Sequence, residues 1–328
     1  MRKKLLLITI GAIALLVAGL TMAGLSSGGG EDEAVNIATM SQGTVSYGAG
    51  AALAQALLEK GDVAVRVQPN AGSSALVPLV NGHEMDLGIA GVLEIEEAAN
   101  AENIFVGRPQ ENLRAAMILF PLEVGIWVRR DSDIKTIADL KGKRISAGFN
   151  AQKSVDKILE SVLANGGLTR ADVVQVMVPN IIRGAEDFIA GRNDAFFLAV
   201  GAAKVLEADA SVGVRLLPMD PSPQAVARMH AVFKYAYLTN EVETPRTTGI
   251  FGTVPVTTYD MILVTNDQVD GERLKHMLTV FSENKPLMAG VHPAFRRFEV
   301  DKMLKDTPIP YHPAALEWYR EHGIDKAS

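Results

Sequence analysis

The sequence predicts an α/β fold of two lobes, each built on a mainly parallel sheet. Three observations predict it. Short β-branched runs alternate with longer helical stretches from Val35 onward. The pattern restarts near residue 143, where Ile37 answers Ile145 and Asp86 answers Asp194, both 108 apart, and Gly82 answers Gly191 at 109. The chain of 328 residues is too long for one small core and comfortable for two. Matches this loose also arise between generic βα units, so the duplication is an expectation for the structure to test.

Taken in order, Val35–Thr39 reads as a strand and Met40–Ser46 as a polar loop. The spacing of Ala51, Leu53, Ala54, Leu57 and Leu58 predicts a helix over Tyr47–Lys60. A strand over Val63–Gln68, a helix over Ser74–Val80, a strand over Asp86–Ala90 and a helix over Val92–Asn100 follow. Arg114–Arg129 is a long apolar stretch broken at Pro121, read as two strands crossing between lobes. The second round runs through a strand at Lys143–Ala147, a helix at Ser154–Ala164, a strand at Val173–Val178, a helix at Arg183–Ala190 and a strand at Asp194–Ala199. After Val212–Pro218 the chain is rich in proline and polar residues. Tyr259–Thr265 is a strand that returns to the first lobe, and helices are predicted near 271–282, 286–290 and 313–321.

The first residues read as an export signal. Arg2, Lys3 and Lys4 precede an uncharged run from Leu5 to Leu25, and Thr21-Met22-Ala23 offers a cleavage site after Ala23. The uncharged run is also long enough for an uncleaved membrane anchor. Both place the body outside the cytoplasm. The predicted organisation is then 1–23 signal or anchor, 24–34 linker, 35–122 first lobe, 123–253 second lobe, and 254–328 a return to the first lobe with C-terminal helices.

Composition narrows the function. Hydrophobic residues make up 48% and charged residues 21%, an ordinary globular profile. The absence of cysteine removes thiolate metal sites, iron–sulfur clusters, cysteine nucleophiles and lipidation. Loss of residues 1–23 moves the net charge from −6 to −9, which suits neither nucleic acid nor an anionic lipid surface. Gly24-Leu25-Ser26-Ser27-Gly28 fits the G-x-S-x-G pattern but has no strand before it. No phosphate-loop, zinc-protease or EF-hand pattern occurs, and six scattered histidines make no ligand set. No catalytic residue, metal or cofactor is expected.

The loops after the strands carry the chemistry. In open α/β sheets, ligands bind beyond the carboxyl ends of strands, where helix N-termini present free amides. Loop one holds Ser41, Gln42, Thr44, Ser46 and Tyr47, and loop two holds Asn70, Ser73 and Ser74. The second lobe supplies Asn150, Gln152, Lys153 and Ser154, then Asn180 and Arg183. Hydroxyls, amides and two cations around a cleft suit a small carboxylate. The plainer reading is that Ser and Asn before a helix are caps and that Lys153 and Arg183 are solvated. Lys153 in a first helical turn opposes the helix dipole, a small cost that points to a role. Tyr47 and Trp127 read more simply as packing, Asp86 and Asp194 as turn or cap residues, and Arg246 as an exposed loop residue.

Over most of this length the chain resembles the TAXI family of solute-binding proteins from tripartite ATP-independent periplasmic (TRAP) transporters. The resemblance rests on Ile37-Ala38-Thr39 through Tyr47, Gly50-Ala51-Ala52-Leu53-Ala54, Gly72-Ser73, Leu140 to Gly148, Gly191 with Asp194-Ala195-Phe196-Phe197, Leu263-Val264-Thr265, and His312-Pro313-Ala314-Ala315 with Trp318-Tyr319 and Glu321-His322-Gly323. It implies a two-lobed periplasmic-binding-protein fold of type II kind that closes on its ligand. It implies capture of a small carboxylate (an amino acid, dicarboxylate or keto acid) and delivery to ion-driven membrane subunits, without catalysis, in the periplasm. A monomer is the simple expectation.

The chain departs from that family at the ligand loops. Ser46-Tyr47 stands where paired tyrosines are usual, Ala151-Gln152-Lys153-Ser154 where Gly-Ser-Gly-Thr is usual, Gly91 where a Gln is usual, and Asn70 where a Thr is usual. The added charge of Lys153 favours a more acidic ligand. The alternatives are a membrane-tethered ligand-binding sensor or adaptor and an ABC-type binding protein of similar fold. A porphobilinogen deaminase-like enzyme would need a cysteine for its cofactor, and the chain has none.

Overall fold

The computed structural model describes residues 34–244 and 247–326. The signal or anchor, nearly all of the linker with its Gly24–Gly28 motif, and Arg246 lie outside the described residues. Among the described residues no helix is long and apolar enough to cross a membrane.

β1 (Val35–Thr39) leads into α1 (Val45–Lys60). The helix begins two residues before the predicted start at Tyr47, because the Thr44 hydroxyl accepts the Tyr47 amide at 3.2 Å and caps it there. β2 (Val65–Pro69), α2 (Ser73–Asn81), β3 (Leu87–Gly91) and α3 (Val92–Ala99) complete the first unit. β4 (Leu113–Arg129) is one strand through Pro121 and not two. The next strand on that side pairs with β4 only from Val124 onward, so one edge at Pro121 has no ladder to break.

The second unit is β5 (Arg144–Ala147), α4 (Lys153–Asn165), β6 (Val174–Met177), α5 (Ile181–Ile189) and β7 (Ala195–Ala199). Then come α6 (Ala203–Val212), β8 (Val214–Leu216), α7 (Pro223–Val232) and β9 (Tyr237–Val242). Sequence patterning did not anticipate α6, α7 or β9. Pro223, a loop signal in the sequence, occupies the first turn of α7, where its missing N–H is no loss, and Ser222 caps that helix. β10 (Thr253–Asn266), α8 (Gly271–Glu283), α9 (Lys285–Val291) and α10 (Pro313–Glu321) close the chain.

The strands form one sheet in the order β2-β1-β3-β10-β4-β7-β5-β6, with β8 on β4 and β9 on β10. β1 pairs in parallel with β2 and β3, and β5 with β6 and β7. β4 and β10 are antiparallel to their neighbours and serve both lobes. β4 lies on β10 through Val124 and on β7 from Val124 to Val128. β10 lies on β3 at Met261–Thr265 and on β9 at Thr253–Thr258. Trp127 is core at this crossing. Its indole donates to the Leu198 carbonyl at 2.9 Å and its ring stacks on Phe196.

The duplication is present and its offset is 108 throughout. Asn36 pairs with Arg66 as Arg144 pairs with Val174, and Ile37 with Leu87 as Ile145 with Ala195. α2 and α5 have the same length at the same offset. The match of Gly82 to Gly191 is corrected by one residue. The true counterpart of Gly191 is His83, and both are left-handed, with φ of 75° and 65°.

Candidate functional site

The loops at the carboxyl ends of β1, β2 and β5 meet between the lobes. In the first lobe, Ser41 donates to the Asn70 carbonyl at 3.1 Å, and the Asn70 amide donates to the carbonyls of Gln68 at 3.0 Å and Thr39 at 3.4 Å. These bonds tie loop one to loop two. Buried Ser46 accepts the Met40 amide and donates to the Ile89 carbonyl, both at 3.2 Å, which fixes α1 over β3. Tyr47 is half-buried, and Gln42 reaches its hydroxyl at 3.5 Å from an exposed position. Ser73 and Ser74 have buried hydroxyls without a hydrogen-bond partner among the described residues.

In the second lobe, Asn150 is exposed. Gln152 is fully buried; its carbonyl oxygen accepts the Ile181 amide at 2.9 Å and its amide contacts the Met40 sulfur of the other lobe at 3.1 Å. Lys153 donates to the Gly148 carbonyl at 2.8 Å, so its ammonium is held by its own loop. Asn180 caps α5 through the Arg183 amide at 2.9 Å. Arg183 is exposed and pairs with Asp187 at 3.0 Å and Glu186 at 3.4 Å on its own helix. Thr44 and Asn180 are thus caps, as the plainer sequence reading had it.

The two lobes are in close contact here. A Cβ on Gly72 would lie 2.1 Å from the Ala151 carbonyl oxygen and 2.3 Å from Gln152 Cγ. A Cβ on Gly43 would touch Ile182 at 3.5 Å. Ser154, at the start of α4, donates to Glu97 on α3. Lys234 pairs with Glu96 of α3 at 2.6 Å, a further bond between lobes.

Sequence reasoning missed the acids of this seam. Glu94 and Glu97 are buried, one turn apart on α3. Burial pushes Glu94 up to about 7, against the pull of backbone amides at the helix start. Burial also raises Glu97, while Ser154 and Asn103 hold it back. One Glu94 oxygen has no partner among the described residues. Three glutamates in the eight residues of α3, two of them at i and i+3 on the face that also carries Val92, Ile95 and Ala98 into the core, are the signal that could have found them.

Beside this seam lies a cavity of about 840 Å³, within the range of small-ligand sites. Its floor is the crossing: Pro121, Leu122 and Glu123 of β4 and Asn240, Glu241 and Val242 of β9. Val45 at the start of α1 and Val200 to Ala202 just after β7 also line it. Arg297, in the 3-10 turn Pro293–Arg297, bonds Glu123 at 2.8 Å and also Glu241. Burial pushes Glu123 up to about 7 although Arg297 opposes it, and Glu241 adds to the rise. His292 packs on Gly48 of α1, and burial lowers its pKa, favouring the neutral ring. Its Nδ1 accepts the Ala294 amide at 3.3 Å. Among the described residues, no group of three or more His, Cys, Asp or Glu is placed to hold a metal.

The NMT1-like family matches residues 37–323. Among solved structures, the chain is similar to PhnD1 from Prochlorococcus marinus (MIT 9301) in complex with methylphosphonate, at 13% identity over 90% of this chain and 100% of that one, with a TM-score of 0.54. A protein from Bordetella bronchiseptica RB50 matches at 13% identity over 88% and 98%, with a TM-score of 0.53. An ancestral arginine-binding protein bound to arginine matches at 17% identity over 81% and 98%, with a TM-score of 0.50. At these identities the likeness is one of fold, that of the two-lobed periplasmic binding proteins.

Proposed function

The chain belongs to the NMT1-like family, and from that premise we propose that it is an extracytoplasmic solute-binding protein. It captures a small molecule between its lobes and presents the closed form to the membrane subunits of a transporter. The observation that carries this reading is the cavity over the crossing strands, walled by the start of α1 from one lobe and the end of β7 from the other. β4 and β10 each belong to both lobes, so a bend in them opens and closes the cavity. Closure strengthens polar contacts by removing water.

The finer reading is a TRAP-type system and a ligand bearing a carboxylate, with the periplasm as its compartment and a monomer as its state. Of the loop residues, Ser73 and Gln152 neighbour the contact of Gly72 with the second lobe, and the hydroxyls of Ser73 and Ser74, without a partner among the described residues, offer bonds to a ligand. Gln42, Asn150 and Arg183 are exposed. An ABC-type system is a second reading, because the two-lobed binding fold by itself does not separate the two kinds of transporter. Reconstituted uptake separates the two: a TRAP system runs on an ion gradient, an ABC system on ATP.

The test is a thermal-shift screen of the protein against amino acids, mono- and dicarboxylates, keto acids and neutral sugars. A ligand at a hundred times its Kd adds about 2.7 kcal/mol of stability. A shift with acids supports the carboxylate reading, and shifts with neutral compounds alone reject it. No shift across the panel, with no small molecule released on denaturation, rejects solute binding.

A further inference from the structure

We infer that the cavity over the crossing strands holds an ammonium group of its ligand, seated between Glu123 and Glu241. The inference rests on the solute-binding reading and narrows it. The Glu123 side chain is 4% exposed and that of Glu241 8%, and both line the cavity. One guanidinium, Arg297, serves both carboxylates. Two buried acids with one shared cation leave one negative charge unbalanced where desolvation is costly.

Each carboxylate keeps lone pairs that a single guanidinium does not engage. Nearby Asp260 adds no net charge, because Lys305 pairs with it at 2.8 Å. Arg296 also lines the cavity, but it is exposed and makes no salt bridge among the described residues. An ammonium supplies the missing charge and three donors. The raised pKa of Glu123 fits the same imbalance.

The walls set the rest of the ligand. Leu122, Val200, Val205, Leu206 and Val242 present apolar surface, and Leu206 and Val242 are half exposed. The occupant is therefore a primary alkylamine, free or as the amino end of an apolar amino acid. Arg296 is placed to meet the carboxylate only in the second case.

Calorimetric titration of the protein with three probes of one shape tests this: 3-methylbutylamine, leucine and 4-methylpentanoate. The amine and leucine bind, and the acid without an amine binds at least tenfold more weakly. Glu241→Gln cuts the affinity of both amines about tenfold. Leu206→Trp, at a half-exposed wall position, fills the cavity without touching a charge and abolishes it in a folded protein. Arg296→Gln separates the two sources by weakening leucine alone. Binding of the acid as tight as that of the amine, an unchanged affinity in Glu241→Gln, or no binding of any probe overturns the inference. Solute binding itself then stands or falls on the wider screen.

Discussion

Asp194 repeats, 108 residues later, the bond that Asp86 makes. Each carboxylate accepts the amide of a residue at the opening of its lobe's first strand, Asn36 at 2.7 Å and Arg144 at 2.8 Å. Neither aspartate is the turn or cap residue that its loop position suggests. Each pins a parallel strand to the loop entering the next one.

Asp86→Ala and Asp194→Ala should therefore each cost about 1–2 kcal/mol in denaturant unfolding. The Arg144 hydrogen bonds and charge also hold Asp194 below the usual carboxylate range. A lowered folded pKa gives stability above the unfolded pKa that is lost as pH falls through the folded one. The loss in Asp194→Ala should thus be full at pH 7 and shrink toward pH 3. A pH-independent difference would reject this account of Asp194.

Glu94→Gln should remove one step from the pH dependence. A folded pKa raised from 4.5 to about 7 gives stability that is full below 4.5 and lost as pH climbs to about 7. At pH 8 the variant should match or exceed the wild type, by up to about 3 kcal/mol, and below pH 4.5 the two should converge. Melting curves from pH 4 to 8 read this directly. Parallel curves would show that Glu94 titrates normally.

Gly72→Ala should block closure without unfolding either lobe. The backbone at Gly72 is extended (φ 176°), a conformation that any residue adopts, so alanine adds no backbone strain. Its methyl would fall against Ala151 and Gln152 of the other lobe. Melting in the absence of ligand should change by under about 1 kcal/mol, while ligand affinity drops at least tenfold. Wild-type affinity would mean that this contact is not part of the bound form.

Arg297→Met should strip Glu123 and Glu241 of their shared cation. The expected cost at pH 8 is about 3 kcal/mol, the low end for a buried pair, because the guanidinium is 38% exposed. At pH 5.5 protonation of Glu123 should relieve part of it. An equal cost at both pH values would contradict the buried-acid account.

Elements with local signals were legible in the sequence. β1 and α10 fall on their predicted residues, since Val35–Thr39 is β-branched and polar-flanked and His312-Pro313 starts a helix in two ways at once. α7 and β9 were not, because Ser222-Pro223 reads equally as a loop or as a helix start and only packing decides. At the site, the sequence found the loops but not their partners. Lys153 looked like a ligand cation, yet its ammonium sits on the Gly148 carbonyl, a contact set by the loop's curl. Glu123, Glu241 and Arg297 come from three distant segments and meet only where the long strands cross. No spacing in the sequence records that meeting.

Closure of the lobes on a ligand is tested most directly by a distance between them. The chain has no cysteine, so Gln42→Cys, in loop one, with Arg183→Cys, in the first turn of α5, gives two unique, exposed label sites on different lobes. Spin-label distances should be long and broad without ligand, then collapse to one short distance when the best compound of the thermal-shift screen is added. A distribution that stays the same at saturating ligand would contradict closure as the mechanism.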